Sequence, residues 1–497
     1  MSSNEAAQDT SRALLRSSHA AVLSQVWRMG VVFATHMLLR RLVDPGPWGV
    51  WHWSEPIFLL IGQLRDLGMP GHVVRLDEPR PYRAFFRLQM VGIVLTGGMV
   101  LLAAPWMARG FKEADSAEVT AVVRVLVLFL LFEGLAKIPL TYFEAELRIE
   151  ESLVPELLRN ATFAAVSLVL AIQFRGVWCF VVGHVAGSAV LALALWVRAW
   201  PGLGPALRRR VSSLPWFDEA KELLRLSLPL VVMSILVLLL GRIDPLVLGL
   251  RFEPTVVGHY GMALFLAFLL SILVALPVSR ALYPALQRLK GDPVRFFEAY
   301  RLATIVILAL EVPYAFSLFL NSEVLLGIFG GAEYPGAATI YLQVLCFAPL
   351  LQPFSRCAGD VLLIRHHDGV LIVSSILSLV SLAGVGYVLC GFLGPVAMAW
   401  VNLLPFGTLV VAWAVWRIDP PAFRGLGKDL ALIYTLPVPV FWAVRELTPA
   451  ESYLRLGASF LATGIVLAAF ALRYRRDFVR FFRRQDGSSQ DGSSQDG

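Results

Sequence analysis

Several charged side chains lie in stretches of sequence that are otherwise apolar enough to be buried in lipid. Arg242 and Asp244 are the clearest example, because they interrupt the run LVLLLGRIDPLVLG at residues 236–249. A charge at the centre of a bilayer costs about 2.5–3.5 kcal/mol on insertion scales, so such residues usually face a protein interior or a water-filled cavity. Guanidinium groups stay charged and can bind phosphate or carboxylate through two parallel hydrogen bonds. The pattern therefore predicts a cavity that receives a large anionic substrate.

Six basic residues within apolar stretches are the candidate substrate-binding groups. They are Arg28, Arg65, Arg124, Lys137, Arg242 and Arg356. Arg28, Arg124 and Arg242 have no acidic residue one helical turn away. Asp244 is only two positions from Arg242, and residues two apart point to different faces of a regular helix. For these three arginines, an ion pair with another helix is the alternative to substrate contact.

The other three candidates have acidic neighbours in the sequence. Lys137 stands four residues after Glu133, a spacing that places both on one face of a helix. Arg356 precedes Asp360 by the same spacing, and Arg65 is followed directly by an aspartate. A role in the cavity and a local ion pair therefore both stay open for these residues.

Two acidic residues are the best-placed groups to bind a coupling ion. Asp244 and Glu311 lie within apolar stretches and could carry a proton or a sodium ion whose gradient drives a transport cycle. Pairing with an arginine of the cavity is the alternative for both. We expect no cofactor, because the sequence has no glycine-rich phosphate loop, no metal-ligand spacing among its four cysteines and no nucleophile triad.

Length and composition place the chain among the polytopic membrane proteins. Of its 497 residues, 57% are hydrophobic and only 16% are charged, whereas soluble domains carry about 25% charged residues. A window of about 19 residues finds fourteen apolar spans. They cover about 22–39, 50–67, 88–106, 122–141, 154–174, 177–197, 226–250, 256–278, 302–320, 340–364, 370–390, 396–416, 430–444 and 456–472. The predicted fold class is an all-α polytopic membrane protein with 14 transmembrane helices.

The distribution of basic residues predicts how these helices are inserted. If both termini are cytoplasmic, 28 of the 43 Lys and Arg residues lie in cytoplasmic segments and 8 lie in outer segments. Lys and Arg accumulate on the cytoplasmic side of membrane proteins. We therefore expect a multi-pass protein of the bacterial inner membrane with both ends cytoplasmic. The basic balance reflects this orientation rather than a nucleic-acid partner.

A short pattern that recurs in the two halves of the chain predicts an internal repeat. DPGPWGVW at residues 44–51 and EPTVVGHY at residues 253–260 both read acid, Pro, three residues, Gly, one residue, aromatic, and they stand 209 residues apart. We interpret each copy as a turn in which Pro fixes φ and Gly supplies a permissive backbone. Repeats are typical of secondary transporters, whose substrate site lies between the repeated halves.

The spans and the repeat predict two six-helix lobes around a central cavity, followed by two extra C-terminal helices. The predicted parts are a cytoplasmic segment at 1–18, an N-lobe at 19–199, a basic amphipathic linker at 200–222, a C-lobe at 223–417, the two extra helices at 418–474 and a disordered cytoplasmic tail at 475–497. The tail repeats the unit QDGSS, which resembles an artificial linker.

Four stretches make the chain resemble the polysaccharide (O-antigen and exopolysaccharide) flippases of the multidrug/oligosaccharidyl-lipid/polysaccharide (MOP) exporter superfamily. They are LLRRLVDPGPWGVW at 38–51, LRDLGMPGHVVR at 64–75, the segment 223–263 and LGIFGGAEYPGAATIYLQVL at 326–345. The resemblance implies a flippase that moves an oligosaccharide on polyprenyl pyrophosphate from the inner to the outer leaflet. It also implies assembly partners such as a polysaccharide polymerase. Arg28 and Arg242 match the arginines that meet the pyrophosphate or acidic sugars in that family.

Three other functions stay open at this point. A lipid II flippase would share the fourteen helices and the cationic cavity and would differ in its substrate. A drug or cation exporter of the same superfamily would need an acidic chamber. A membrane polysaccharide polymerase or a polyprenyl-dependent glycosyltransferase would need a sizeable outer loop with catalytic residues, and the longest predicted outer loop has about fifteen residues. We therefore expect a transporter and not an enzyme.

Overall fold

The computed structural model describes residues 30–76, 80–109, 115–146, 148–209, 216–403, 406–418, 426–450 and 452–491. The regular structure of these residues is helical, and they contain no β-strand. The helices are α1 (30–42), α2 (Pro45–Asp66), α3 (Met69–Arg75), α4 (Tyr82–Arg109), α5 (Ser116–Ala145), α6 (Leu153–Phe174), α7 (Trp178–Arg208), α8 (Trp216–Leu240), α9 (Ile243–Gly249), α10 (Pro254–Leu270), α11 (Leu276–Arg288), α12 (Pro293–Leu320), α13 (Ser322–Gly330), α14 (Thr339–Leu345), α15 (Gln352–Ile364), α16 (Asp368–Val380), α17 (Gly386–Leu393), α18 (Val396–Leu403), α19 (Phe406–Ile418), α20 (Leu426–Thr435), α21 (Pro437–Leu447) and α22 (Tyr453–Asp491).

Each of the fourteen predicted spans coincides with one of these helices or with two helices joined at a break. Ten helical segments of the described residues are long and apolar enough to cross a membrane. The other four correspond to the first, second, seventh and tenth predicted spans. The first is described only from residue 30, and the second, α2, includes His52, Glu55 and Arg65. The chain is an all-α, multi-pass membrane protein, as predicted.

The chain packs as two compact units that meet in sequence at Gly258 and His259. In the first unit, α5 packs against α4 and α7, and α7 packs in turn against α6. Phe85, Tyr142 and Leu195 lie in a buried apolar cluster of this unit. These contacts bury apolar faces of the helices against one another. They also hold α5 and α6 in place and so position the charged side chains that these helices carry.

In the second unit, α12 is the central helix. It packs against α11, α15, α20 and α22, and 61% of its most apolar window is buried. Arg301 on α12 donates a hydrogen bond from Nε to Oδ2 of Asp429 on α20 (2.6 Å) and one from Nη2 to Oδ2 of Asp477 on α22 (3.2 Å). The Tyr474 hydroxyl donates to Oδ1 of the same Asp429 (3.0 Å). The two helices after the predicted C-lobe are therefore held to α12 by a shared ion-pair network.

The seventh predicted span is not a continuous helix. α8 ends at Leu240 and α9 begins at Ile243, so Arg242 occupies the N-cap position of a new short helix with φ −143° and ψ 7°. Pro245 near the start of α9 has no backbone N–H, a group that the first turn of a helix leaves without an intrahelical partner. The prediction that Arg242 and Asp244 lie on different faces of one regular helix was therefore wrong. α8 ends before Arg242, and a new helix begins at Ile243.

The repeated motif also differs from its predicted form. Pro45 and Pro254 are the first residues of α2 and α10, and Gly49 and Gly258 lie inside those helices rather than in turns. The glycines with positive φ are four others, at 68, 331, 336 and 394. Backbone conformation therefore does not require glycine at positions 49 and 258. The atoms packed against these two residues explain why glycine is present.

Two predicted connecting segments are partly helical. α7 continues to Arg208 and α8 begins at Trp216, so much of the predicted linker at 200–222 extends the flanking helices. α22 continues to Asp491, into the tail predicted to be disordered. The four cysteines are buried and form no disulfide with one another.

Candidate functional site

The first unit contains a cavity of about 300 Å³ between α1, α5, α6 and α7, and its walls carry both apolar and charged side chains. Charged side chains reach it from two of these helices, Glu133 and Lys137 from α5 and Glu156 and Arg159 from α6. Because each of these helices is apolar along most of its length, the cavity concentrates polar groups in an otherwise apolar bundle. Such clusters in membrane proteins mark substrate or ion pathways.

An ion pair between neighbouring helices lies at the centre of this cavity wall. Arg159 Nη2 is 2.9 Å from Glu133 Oε1, and the Ser188 hydroxyl of α7 donates to the same oxygen (3.0 Å). Both charged side chains keep part of their surface accessible, 32% for Arg159 and 25% for Glu133. The pair fixes the position of a guanidinium group without burying it completely.

Lys137 therefore does not form the helical pair that its spacing to Glu133 favoured. The glutamate is bound to Arg159 instead, and Lys137 has no ion pair within the described part of the chain. The local rule failed because a longer guanidinium arm from α6 reaches the carboxylate in a better geometry. The ammonium group of Lys137 is left to line the cavity.

Aromatic rings cover the side of the cavity where α1 and α7 meet. His184 stacks on Trp51 with ring centroids 4.5 Å apart, and it lies 4.3 Å from Phe163. His36 lies 5.6 Å from Trp48, and its Nδ1 is 2.7 Å from the carbonyl oxygen of Val32. Both histidines pack against aromatic rings and also border the cavity.

A second charged group of the first unit lies at the break between α8 and α9. Arg242 donates a hydrogen bond from Nη1 to Oε2 of Glu55 on α2, at 3.1 Å. The Arg242 side chain is 41% exposed and that of Glu55 is 25% exposed. Within the described residues this is the only hydrogen bond of the Arg242 guanidinium, which leaves its other N–H donors available. Both charges act electrostatically on His36, which borders the cavity.

Two residues beside this pair, Arg40 and His52, were not among the candidates predicted from the sequence. Arg40 is only 2% exposed, its guanidinium carbon lies 4.5 Å from the centre of the Trp48 ring, and Nη2 donates to His52 Nε2 (3.4 Å). Arg40 was placed outside the first span, which was predicted to end at residue 39. The paired arginines directly before a tryptophan-rich segment were the available signal, because arginine stacks on aromatic faces.

Arg65 and Arg124 do not join the cavity. Arg65 is buried, donates from Nε to Oδ1 of Asp66 (2.7 Å) and donates a second hydrogen bond to the Leu130 carbonyl, so its contacts are structural. Arg124 is exposed and borders another recess, of about 340 Å³. Arg28 lies outside the described residues.

The remaining predicted residues are Asp244, Glu311 and Arg356. Asp244 is buried in the first turn of α9, where a carboxylate is favoured by the helix dipole. Glu311 on α12 is 1% exposed, accepts a hydrogen bond from the Ser271 hydroxyl, and its Oε2 has no hydrogen-bond partner within the described residues. Arg356 on α15 interacts electrostatically with Glu311. The Glu311 group belongs to the second unit and the cavity to the first.

The fold resembles that of known proteins. A family model described as a polysaccharide biosynthesis protein matches residues 38–339. A lipid II flippase, MurJ, in an inward closed conformation matches with a TM-score of 0.70 at 12% identity, covering 93% of this chain and 99% of its own. No curated protein gives a significant match.

Two further structures have the same fold at lower similarity. An inward-facing multidrug resistance MATE family transporter of the MOP superfamily has a TM-score of 0.58 at 16% identity and covers 81% of this chain and 96% of its own. A MOP superfamily transporter from Pyrococcus furiosus has a TM-score of 0.53 at 15% identity, with 85% and 96% covered. The family model confirms the predicted likeness to polysaccharide biosynthesis proteins, and the solved structures confirm the predicted fold.

Proposed function

Because this chain belongs to the polysaccharide biosynthesis protein family, we propose that it is a flippase for an oligosaccharide carried on polyprenyl pyrophosphate. It acts in the bacterial inner membrane by alternating access, with both termini in the cytoplasm. The observation that carries this proposal is the partly exposed guanidinium of Arg242, which lies at a helix break and, among the described residues, is held by one hydrogen bond to Glu55. The lipid bilayer is its environment, and the lipid-linked glycan is its substrate.

The chemistry of Arg242 suits a pyrophosphate. A guanidinium has five N–H donors in a planar fork, and only one of those of Arg242 is engaged within the described residues. Phosphate oxygens could take the free donors in a bidentate pair while Glu55 holds the group in place. The nearby cavity adds Lys137 and Arg159, which are suited to acidic sugars or to the second phosphate. Arg28 and Arg356 stay candidates for the same role across the predicted cavity between the lobes.

Ion coupling is part of the same proposal. Glu311 has one carboxylate oxygen bound to Ser271 and one without a partner, in a site that excludes water. A carboxyl group in such a place can take up and release a proton during a conformational change, since its neutral and charged forms differ strongly in solvation. We assign the coupling proton to Glu311 and place Asp244 second, with sodium as the alternative ion.

A lipid II flippase is the second candidate. It is supported by the structural match to MurJ over 93% of this chain, and its substrate also carries a polyprenyl pyrophosphate. The two candidates differ in the headgroup that must fit the cavity.

The test uses the purified full-length protein in liposomes with two probes, a polyprenyl-pyrophosphate trisaccharide and lipid II. Movement is followed by the exposure of the headgroup to a reagent that cannot cross the membrane. Faster exposure of the trisaccharide lipid than in protein-free liposomes supports the proposal. Exposure of lipid II alone would replace it by the second candidate, and no acceleration of either probe would overturn both.

A further inference from the structure

The two copies of the repeated motif lie against each other within the first unit. α2 begins at Pro45 and α10 begins at Pro254, and each helix carries a glycine four residues later, Gly49 and Gly258. Equivalent positions of the two copies are 209 residues apart. The first turns of both helices are therefore built from the same short pattern.

The contact between the copies is reciprocal. A Cβ atom on Gly49 would overlap the carbonyl oxygen of Pro254, and a Cβ atom on Gly258 would overlap the carbonyl oxygen of Pro45. When residue i of one copy meets residue j of the other and j meets i, the copies are related by a two-fold axis. Each glycine is thus required by the backbone of the other copy, which explains its place in the motif.

A third pair of residues lies where such an axis would pass. A Cβ atom on Gly46 would stand 3.6 Å from Cγ2 of Thr255, and these two positions are themselves equivalent, again 209 residues apart. A contact between equivalent positions is its own symmetry mate. The three contacts together form one compact crossing of two helix starts, which small residues make possible by letting backbones approach closely.

The crossing has no polar bond that would have to break when it opens. Within the described residues, no hydrogen bond or ion pair joins 44–49 to 253–258, and the Thr255 hydroxyl donates to Glu253 of its own copy. Proline at each helix start removes a backbone N–H that would otherwise need a partner. The helices can therefore separate without leaving unsatisfied groups, which is costly in a membrane.

We propose that this reciprocal glycine crossing is the outer gate of the transporter, closed in this structure and separated in each cycle to release the substrate. The assignment rests on the proposed flippase function and on the predicted orientation, which places residues 44–49 and 253–258 on the outer side. A permanent pivot around which the helices tilt without separating is the competing role, and a covalent lock distinguishes the two.

The lock is the double variant Gly46→Cys with Thr255→Cys, because a Cβ on Gly46 would stand 3.6 Å from Thr255 Cγ2, a position that the Sγ of a cysteine can occupy. This approach brings the two Cβ atoms near the separation of about 3.5–4.5 Å found in disulfides. Oxidation should produce a cross-link that shifts electrophoretic mobility, abolish transport of the trisaccharide lipid in liposomes and be reversed by reductant. Transport at the uncross-linked rate while the bond is intact would overturn the gate, as would failure of the bond to form. Loss of transport in the wild-type protein would instead reject the flippase function.

The matched control places a cross-link inside the first unit, away from the crossing. Gly97→Cys with Val127→Cys joins α4 to α5, since a Cβ on Gly97 would lie 3.3 Å from Val127 Cγ1. This lock should leave transport unchanged, because α4 and α5 stay together throughout the cycle. Equal loss in both locked proteins would count against the gate, since any covalent bond would then suffice.

A second measurement does not depend on transport. Gly49→Ala adds a Cβ that overlaps a backbone carbonyl, which should shift the balance towards the open crossing by about tenfold, as expected for roughly 1.4 kcal/mol of overpacking. The labelling rate of Thr255→Cys by a membrane-impermeant maleimide should rise accordingly in intact cells. Gly98→Ala, where a Cβ meets no atom within 4 Å, is the control. An unchanged labelling rate in the Gly49→Ala protein would contradict an opening crossing.

Discussion

Replacing Arg242 by alanine should strongly reduce transport and leave the protein folded. The pair with Glu55 joins side chains that are 41% and 25% exposed, and exposed ion pairs contribute about 0.2–1 kcal/mol to stability. The folded population should therefore change by less than tenfold. If the guanidinium binds pyrophosphate, the variant loses at least one charge-assisted hydrogen bond worth about 1.5–3 kcal/mol, so substrate affinity should fall by about tenfold to a hundredfold. The Arg242→Ala substitution should therefore reduce substrate binding more than it reduces the stability of the fold.

A double-mutant cycle with Glu55→Gln separates substrate binding from charge neutralisation. If Arg242 serves only to neutralise Glu55, the single variant Arg242→Ala leaves an unpaired carboxylate, and adding Glu55→Gln should restore transport. If Arg242 contacts the substrate, Glu55→Gln alone should keep most of the activity, and the double variant should be as inactive as Arg242→Ala. Arg242→Lys should be intermediate, because an ammonium group keeps the charge but not the planar fork.

The assay measures transport of the trisaccharide lipid in liposomes, with thermal unfolding in detergent as the control for folding. Near wild-type transport by the double variant would refute the substrate contact and make Arg242 a structural partner of Glu55. A fall in unfolding temperature that accounts for the whole loss of activity would lead to the same conclusion.

Three further predictions concern buried charges elsewhere. Arg65→Leu leaves the carboxylate of Asp66 buried without its guanidinium, which should lower the free energy of unfolding by about 3–5 kcal/mol, measured by thermal unfolding. Arg301→Ala leaves Asp429 without its main donor and should loosen the last helix, seen as faster limited proteolysis after residue 450 and a destabilisation of about 1–3 kcal/mol. Glu311→Gln should preserve expression and unfolding temperature but remove the dependence of transport on a proton gradient, whereas an unchanged gradient dependence would exclude it as the coupling group.

The helices were predictable from the sequence because hydropathy acts over whole segments. In lipid, every backbone N–H and C=O must be paired within the segment, so a long apolar run forms a helix whatever its details. Breaks inside those runs were harder to place. The break at Arg242 was indicated only by Pro245, and the one in the thirteenth span only by Pro437. Proline indicates that a helix is interrupted, but contacts with neighbouring helices determine at which residue the backbone departs from helical geometry.

The partners of the charged residues could not be predicted, because they come from distant parts of the chain. Arg242 pairs with Glu55 across 187 residues, and Arg159 takes the carboxylate of Glu133 that local spacing had offered to Lys137. A rule that considers only residues one helical turn apart cannot identify a partner on a neighbouring helix. Arg65 and Asp66 were the exception, because these two residues are adjacent in the sequence and also form a hydrogen bond with each other.

The repeated motif shows how a correct pattern can carry an incorrect reason. Eight residues sufficed to detect the duplication, and the glycine was attributed to backbone freedom in a turn. The structure places Gly49 and Gly258 in helices, where glycine costs about 0.5–1 kcal/mol relative to alanine. A conformational penalty repeated at both copies needs a compensating contact, and each glycine faces the carbonyl oxygen of the other copy's proline. A substitution at one copy therefore acts on the other. If the crossing is a gate, alanine at both glycines should open it further than either change alone, and equal effects of the single and double variants would mean that one of the two contacts carries the closure.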